Sequence, residues 1–190
     1  MTPEQNFWSW FQRNDDELFD FEKNQDTTFK NLTTQLHEIE PHLAFEFGPK
    51  KDGKREFTIS ADGIREAFSA VERLYAAAPS LPRWKFLKFR QRRQPSDISY
   101  EGVSVKAQSV RVAAKFDGQR ANIVVFIPGY TKEPRNSYPG IAFLLLDQAL
   151  GEYDVETRVG EIKVEASPLA LEHTISLEEL PKVVDRMFVH

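Results

Sequence analysis

Cysteine is absent from this chain of 190 residues. That excludes disulfides, thiolate zinc sites, iron–sulfur ligation and thiol nucleophiles, and it fits a reducing cytoplasm. Long hydrophobic runs are missing too: the longest, IAFLLL over Ile141 to Leu146, is far shorter than a membrane span. The opening MTPEQNFWSWFQRNDDE has no basic stretch followed by an apolar core and a small-residue cleavage site, so no secretory signal is expected. Phosphate-cradling GxxxxGK[ST], GxGxxG and GxSxG patterns do not occur. His37, His42, His173 and His190 lack metal-ligand spacing. No cofactor or metal is therefore expected, and catalysis finds no recognisable signature.

What the chain does have is apolar surface, at 41% hydrophobic residues including 15 Phe and 3 Trp, enough to offset the conformational entropy of a domain this size. The net charge of −4 hides a segregation. Residues 63–120 carry 12 basic against 5 acidic side chains, while the flanking thirds are both acidic. Such a basic middle either meets an anionic partner or is neutralised within the fold.

Thr2-Pro3-Glu4-Gln5 has the form of a capping box with proline at the first helical position, so a helix is expected there. Asn14-Asp15-Asp16-Glu17 starts a second short helix. Asp26 is expected to cap a third, carrying Phe29, Leu32, Leu36 and Ile39 up to Pro41. Beyond this helical cover (residues 1–40) the period changes to two. Leu43, Phe45 and Phe47, a GPKKDGK turn, then Phe57 and Ile59 read as a hairpin, followed by a helix opened by Asp62-Gly63 and the strand WKFLKFRQRR. Residues 96–190 repeat the order: SVRVAAKF, the turn Asp117-Gly118, NIVVFI, the helix YPGIAFLLLDQAL ending at Gly151, and a strand YDVETRVGEIKV. Ile98 to Val105 reads as one additional strand, and Ser176-Leu177-Glu178-Glu179 as the start of a closing helix. The expectation is a single α+β domain: a mixed or antiparallel sheet made from two ββαβ-like halves (41–95 and 96–190), under an N-terminal helical cover. Because IAFLLL is apolar almost all round, its helix needs a second covering layer, and the N-terminal helices are the nearest candidates.

Three surfaces are candidates for binding. Strict alternation through the basic strand places Trp84, Phe86, Lys88, Arg90 and Arg92 on one face, a mixture of rings and cations suited to stacking bases and neutralising phosphates. The opening FWSWF offers Trp8 and Trp10, aromatic residues of the kind enriched at interface hot spots. The polar loop GYTKEPRNSYPG offers Tyr130 and Arg135. The carboxylates of LLLDQALGEYDVE, among them Asp147, Glu152 and Asp154, are candidates for acid/base or metal chemistry. They are better explained as a buried helix running through a glycine into a strand. The run AFLLLDQALGEYDVETRVGEI, with the FWSWF start, resembles bacterial proteins of uncharacterised families; the resemblance implies no activity and assigns no residue a role. The reading is a non-catalytic module for a protein partner in a bacterial cytoplasm. The alternatives are a binder of single-stranded nucleic acid or another anionic ligand, and a carboxylate-dependent hydrolase.

Overall fold

The structure, a computed structural model, describes residues 1–133, 137–166 and 173–189. The fold is α+β, as the element order predicts. The chain divides into two compact units, Met1–Arg90 and Gln91–His190. No helix among the described residues is long and apolar enough to cross a membrane.

The first unit opens with helix α1 (Pro3–Arg13), held by the expected capping box: Thr2 Oγ1 accepts from the Gln5 N–H, and the Thr2 N–H donates back to Gln5 Oε1 at 2.9 Å. Helix α2 (Asp15–Phe19) follows. Helix α3 (Gln25–His37) begins two residues earlier than a cap at Asp26 would place it, leaving Asp26 in the first turn, where the helix dipole favours a carboxylate. Strands β1 (Ala44–Lys51) and β2 (Lys54–Ser60) pair antiparallel around Asp52-Gly53, both at positive φ, a backbone that glycine adopts without strain and that matches hairpin twist. After helix α4 (Phe68–Ala76), strand β3 (Trp84–Lys88) returns parallel to β2, giving the order β1-β2-β3. Phe45, Phe47, Phe57, Trp84 and Phe86 share one face by register, and Phe7, Trp8 and Phe11 of α1 close over it.

The second unit begins with a surprise for the sequence reading. Ile98 to Val105 is not one strand but a miniature hairpin, β4 (Ile98–Tyr100) and β5 (Val103–Val105), because Glu101 and Gly102 both take positive φ and reverse the chain. Strands β6 (Arg111–Phe116) and β7 (Ala121–Phe126) then form the larger hairpin, its turn organised by Asp117 Oδ1 accepting the N–H groups of Gln119 and Arg120. Helix α5 (Tyr138–Leu150) leads, through Gly151, into a second helix α6 (Glu152–Arg158) and only then into strand β8 (Val159–Glu165), parallel to β7. Strand β9 (Ile175–Ser176) adds to β6, and helix α7 (Leu180–Met187) closes the unit. The order is β8-β7-β6-β9.

Both halves thus run ββαβ, with an antiparallel first pair and a parallel second one. Two expectations are corrected. The halves build separate three- and four-stranded sheets instead of one continuous sheet. And α1 spends its aromatic stripe on the first core, while α5 is wrapped within the second by Val155 of α6, Ile98 of β4, and Leu180 and Val184 of α7. An all-round apolar helix was satisfied by elements of its own unit.

Candidate functional site

The mixed aromatic and basic face predicted for residues 84–92 is not formed. β3 stops at Lys88 because Phe89 swings to φ +58 and inserts its ring beside Phe68, at 4.6 Å between centroids. Alternation ends where the strand ends, so Arg90 and Arg92 do not continue the face of Trp84, Phe86 and Lys88. Trp84 is itself interior: its Nε1–H donates to Asp15, and its ring meets Phe11 edge-on at 4.9 Å. Phe86 is half-buried, 4.6 Å from Trp8.

The cations of this stretch are matched with acids. Lys85 meets Glu56 at 2.7 Å and Lys88 meets Glu72 at 2.7 Å, while Arg90 bridges Glu46 (2.6 Å) and Asp62 (2.8 Å). Arg92 donates from Nε to the Leu150 carbonyl at 2.9 Å, from Nη1 and Nη2 to Asp185 at 2.8 Å each, and to Asp154. Arg158 joins the same pair of acids at 3.2 Å. Hydrogen bonds from Arg92, then its charge, hold the Asp185 carboxyl below its ordinary range. The segregated charge seen in the sequence is, along this stretch, neutralised locally within each unit.

The other sequence candidates divide in the same way. Trp8 is a core residue whose Nε1–H donates to the Leu74 carbonyl at 2.8 Å, so it anchors α1 to α4. Trp10 stands half-buried 6.1 Å from Phe7. Tyr130 packs edge-on to Tyr138 at 5.7 Å, and Arg135 lies outside the described residues. The carboxylates after Leu146 belong to two helices, not to a helix and a strand. Asp147 and Glu152 are buried, and Asp154 serves Arg92 and Arg158. The strand expected from Tyr153 onward fails because Gly151, at φ +79 and ψ 149, redirects the chain and lets Glu152 and Asp154 occupy the first turn of a new helix. Among the described residues, no three His, Asp or Glu side chains are grouped to hold a metal ion.

Sequence reasoning missed a cleft in the second unit. Residues 92–97 run as a strap without helix or strand, pinned at several points. The Arg93 N–H donates to the Gln148 carbonyl and the Ser96 N–H to Gln148 Oε1, both at 2.7 Å. Gln94 Nε2 reaches Glu178 at 3.1 Å, and Asp97 accepts the Ala107 N–H at 2.9 Å. Opposite lies the turn before α7, fixed by reciprocal bonds between Ser176 and Glu179. Two adjoining hollows of about 480 and 430 Å³ open between them and share Gln94, Pro95, Leu177 and Glu178 as walls. Ala149 and Leu177 are buried in the floor of the larger one, Pro181 lines it, and the exposed Arg93 and Glu178 stand at its rim. The strap's only sequence signal is Gln94-Pro95-Ser96-Asp97, a break from alternation to turn-forming residues.

Comparison with protein-family models, with curated proteins and with solved structures found no match to this chain.

Proposed function

We propose that this chain is a non-catalytic protein-binding module, and that an extended segment of a partner polypeptide seats in the cleft between residues 92–97 and 176–181. The observation that carries this reading is the double hollow itself, whose two parts each fall in the range of ligand sites. Its floor of Ala149, Leu177 and Pro181 suits apolar side chains. Gln94 and Gln108 at the walls can each donate to and accept from a peptide backbone. Arg93 and Glu178 at the rim offer opposite charges, which favours a partner segment carrying both an acid and a base. The strap is held through the main-chain N–H groups of Arg93 and Ser96, so the cleft is largely preformed and ordering costs on binding are small. We place the protein in the cytoplasm, since neither core uses a disulfide.

Selection of peptides from a displayed random library on the full chain tests this. Enriched peptides should bind the wild type and lose about tenfold or more in affinity, roughly 1.4 kcal/mol, against Arg93→Glu/Glu178→Lys. A library that yields no enrichment, or peptides that bind the double variant equally well, would overturn the reading.

A further inference from the structure

The two hollows of the cleft differ in charge. Arg92 and Arg93, at the start of the strap, line only the larger one, and Asp97, at its end, lines only the smaller. Glu178 stands in the wall they share. Among the described residues, the smaller hollow is thus lined by two acids and no base, and the larger by two arginines beside the same glutamate.

The acids that serve the bases of residues 85–92 are spent in ion pairs. Asp97 and Glu178 are not. Among the described residues, Asp97 accepts only the Ala107 N–H, through Oδ1 at 2.9 Å, and Glu178 only a bond from Gln94 Nε2, through Oε1 at 3.1 Å. Each therefore keeps a second carboxylate oxygen for a donor from outside, and both residues are exposed.

The remaining walls suit a long side chain with a charged tip. Pro95, Ala107 and Leu177 supply apolar surface, the last two buried, along which a methylene stem packs while its charged head stays at the acids. Gln108 adds an amide oxygen that accepts from the same head. The larger hollow rejects that occupant. A cation there would stand beside Arg92, whose guanidinium is already held by Asp154, Asp185 and the Leu150 carbonyl, and beside Arg93. Like-charge contacts of this kind penalise the reversed arrangement.

We propose that the smaller hollow takes a lysine or arginine side chain of the partner segment, its cationic head between Asp97 and Glu178, while an apolar side chain of that segment fills the larger hollow. The proposal rests on the reading of the cleft as a peptide site and names the residue class that the site selects.

Two displayed peptide libraries selected on the full chain test it, one complete and one lacking lysine and arginine. Only the complete library should enrich, and its enriched peptides should carry a lysine or an arginine. Replacing that residue by norleucine or citrulline, which removes the charge, should weaken binding by about tenfold or more. Asp97→Asn should do the same. It keeps Oδ1 as acceptor for the Ala107 N–H, so its far-ultraviolet circular dichroism and melting should match the wild type. Glu178→Gln likewise keeps an acceptor for Gln94. Equal enrichment from the library without lysine and arginine overturns the cation proposal, as do enriched peptides that bind Asp97→Asn and Glu178→Gln as tightly as the wild type. Either result leaves the cleft reading standing if the same peptides still weaken against Arg93→Glu/Glu178→Lys. Enrichment from neither library overturns both.

Discussion

In the first half the hairpin β1–β2, helix α4 and strand β3 close over Phe7, Trp8, Phe11, Phe57 and Trp84; in the second, β6–β7, α5 and β8 close over Val112, Ile123, Val125, Leu145 and Leu146. The course of the chain is the same, and the material inside is different. Topology here follows from the spacing of apolar residues and from the turn glycines Gly53 and Gly118, both of which any core of suitable volume can satisfy. What the material decides is the polar wiring. Tryptophans bring N–H groups that need partners indoors, which is why α1 is tied to α4 through the Leu74 carbonyl and α2 to strand β3 through Asp15. An aliphatic core makes no such demand. The second half keeps its charged network around Arg92, Asp154, Arg158 and Asp185 at the surface instead.

Core truncations break this comparison most sharply. Phe11→Ala should cost about 3–5 kcal/mol and Leu145→Ala about 2–5 kcal/mol, both being fully buried. Trp8, Trp10 and Trp84 all lie in the first unit, so tryptophan fluorescence during urea unfolding reads that unit alone, while far-ultraviolet circular dichroism reads both. Phe11→Ala should move the fluorescence transition by its full cost. If Leu145→Ala moves it equally, the two cores unfold as one; if it moves only the dichroism, they unfold apart.

A smaller effect is expected at the junction peculiar to the second half. Gly151 occupies φ +79 and ψ 149, a region closed to side chains, and lets α6 follow α5 directly. Gly151→Ala should destabilise by about 1–3 kcal/mol in the same urea titration. No counterpart joins α4 to β3 in the first half, where Ala77 sits at ordinary helical angles and Ala77→Gly should be nearly silent.

The smallest effect is acid sensitivity, and it should appear in both halves. Hydrogen bonds from Lys23 and then Lys50 lower Asp20 from 3.8 to about 2, and Arg92 lowers Asp185. A carboxyl with a depressed folded pKa contributes stability above its unfolded value, and loses it as pH falls through the folded value. Urea midpoints should therefore decline as pH falls from 3.8 toward about 2. Asp20→Asn should flatten that decline in the fluorescence signal, and Asp185→Asn in the dichroism. An unchanged slope in either variant would assign the acid sensitivity to other groups.

The fold was legible wherever the deciding interactions are local. The Thr2 capping box, the Asp52-Gly53 and Asp117-Gly118 turns, the order ββαβ and the capping pair Ser176 and Glu179 are settled by residues a few positions apart, and all can be read along the chain. The surroundings of the candidate residues were legible only in part. Trp8 and Trp84 looked equally suited to an interface, yet each has an N–H bond to a residue about seventy positions away that draws it inside.

Elements decided by tertiary contact show why. Seen as a string, WKFLKFRQRR alternates to its end, but Phe89 gains more by leaving the strand and burying its ring against Phe68 than by extending it. GEYDVE could start a strand or a helix, and burial of Glu152 and Val155 beside α5 chose the helix. The cleft has no sequence motif because its walls are separated by some eighty residues and meet only when Gln94 finds Glu178. Spacing and turn chemistry act over a single turn or pleat, so the sequence by itself determined the elements and their order. Burial is a property of what lies opposite, so the core rings, the charge partners and the cleft were decided by the fold.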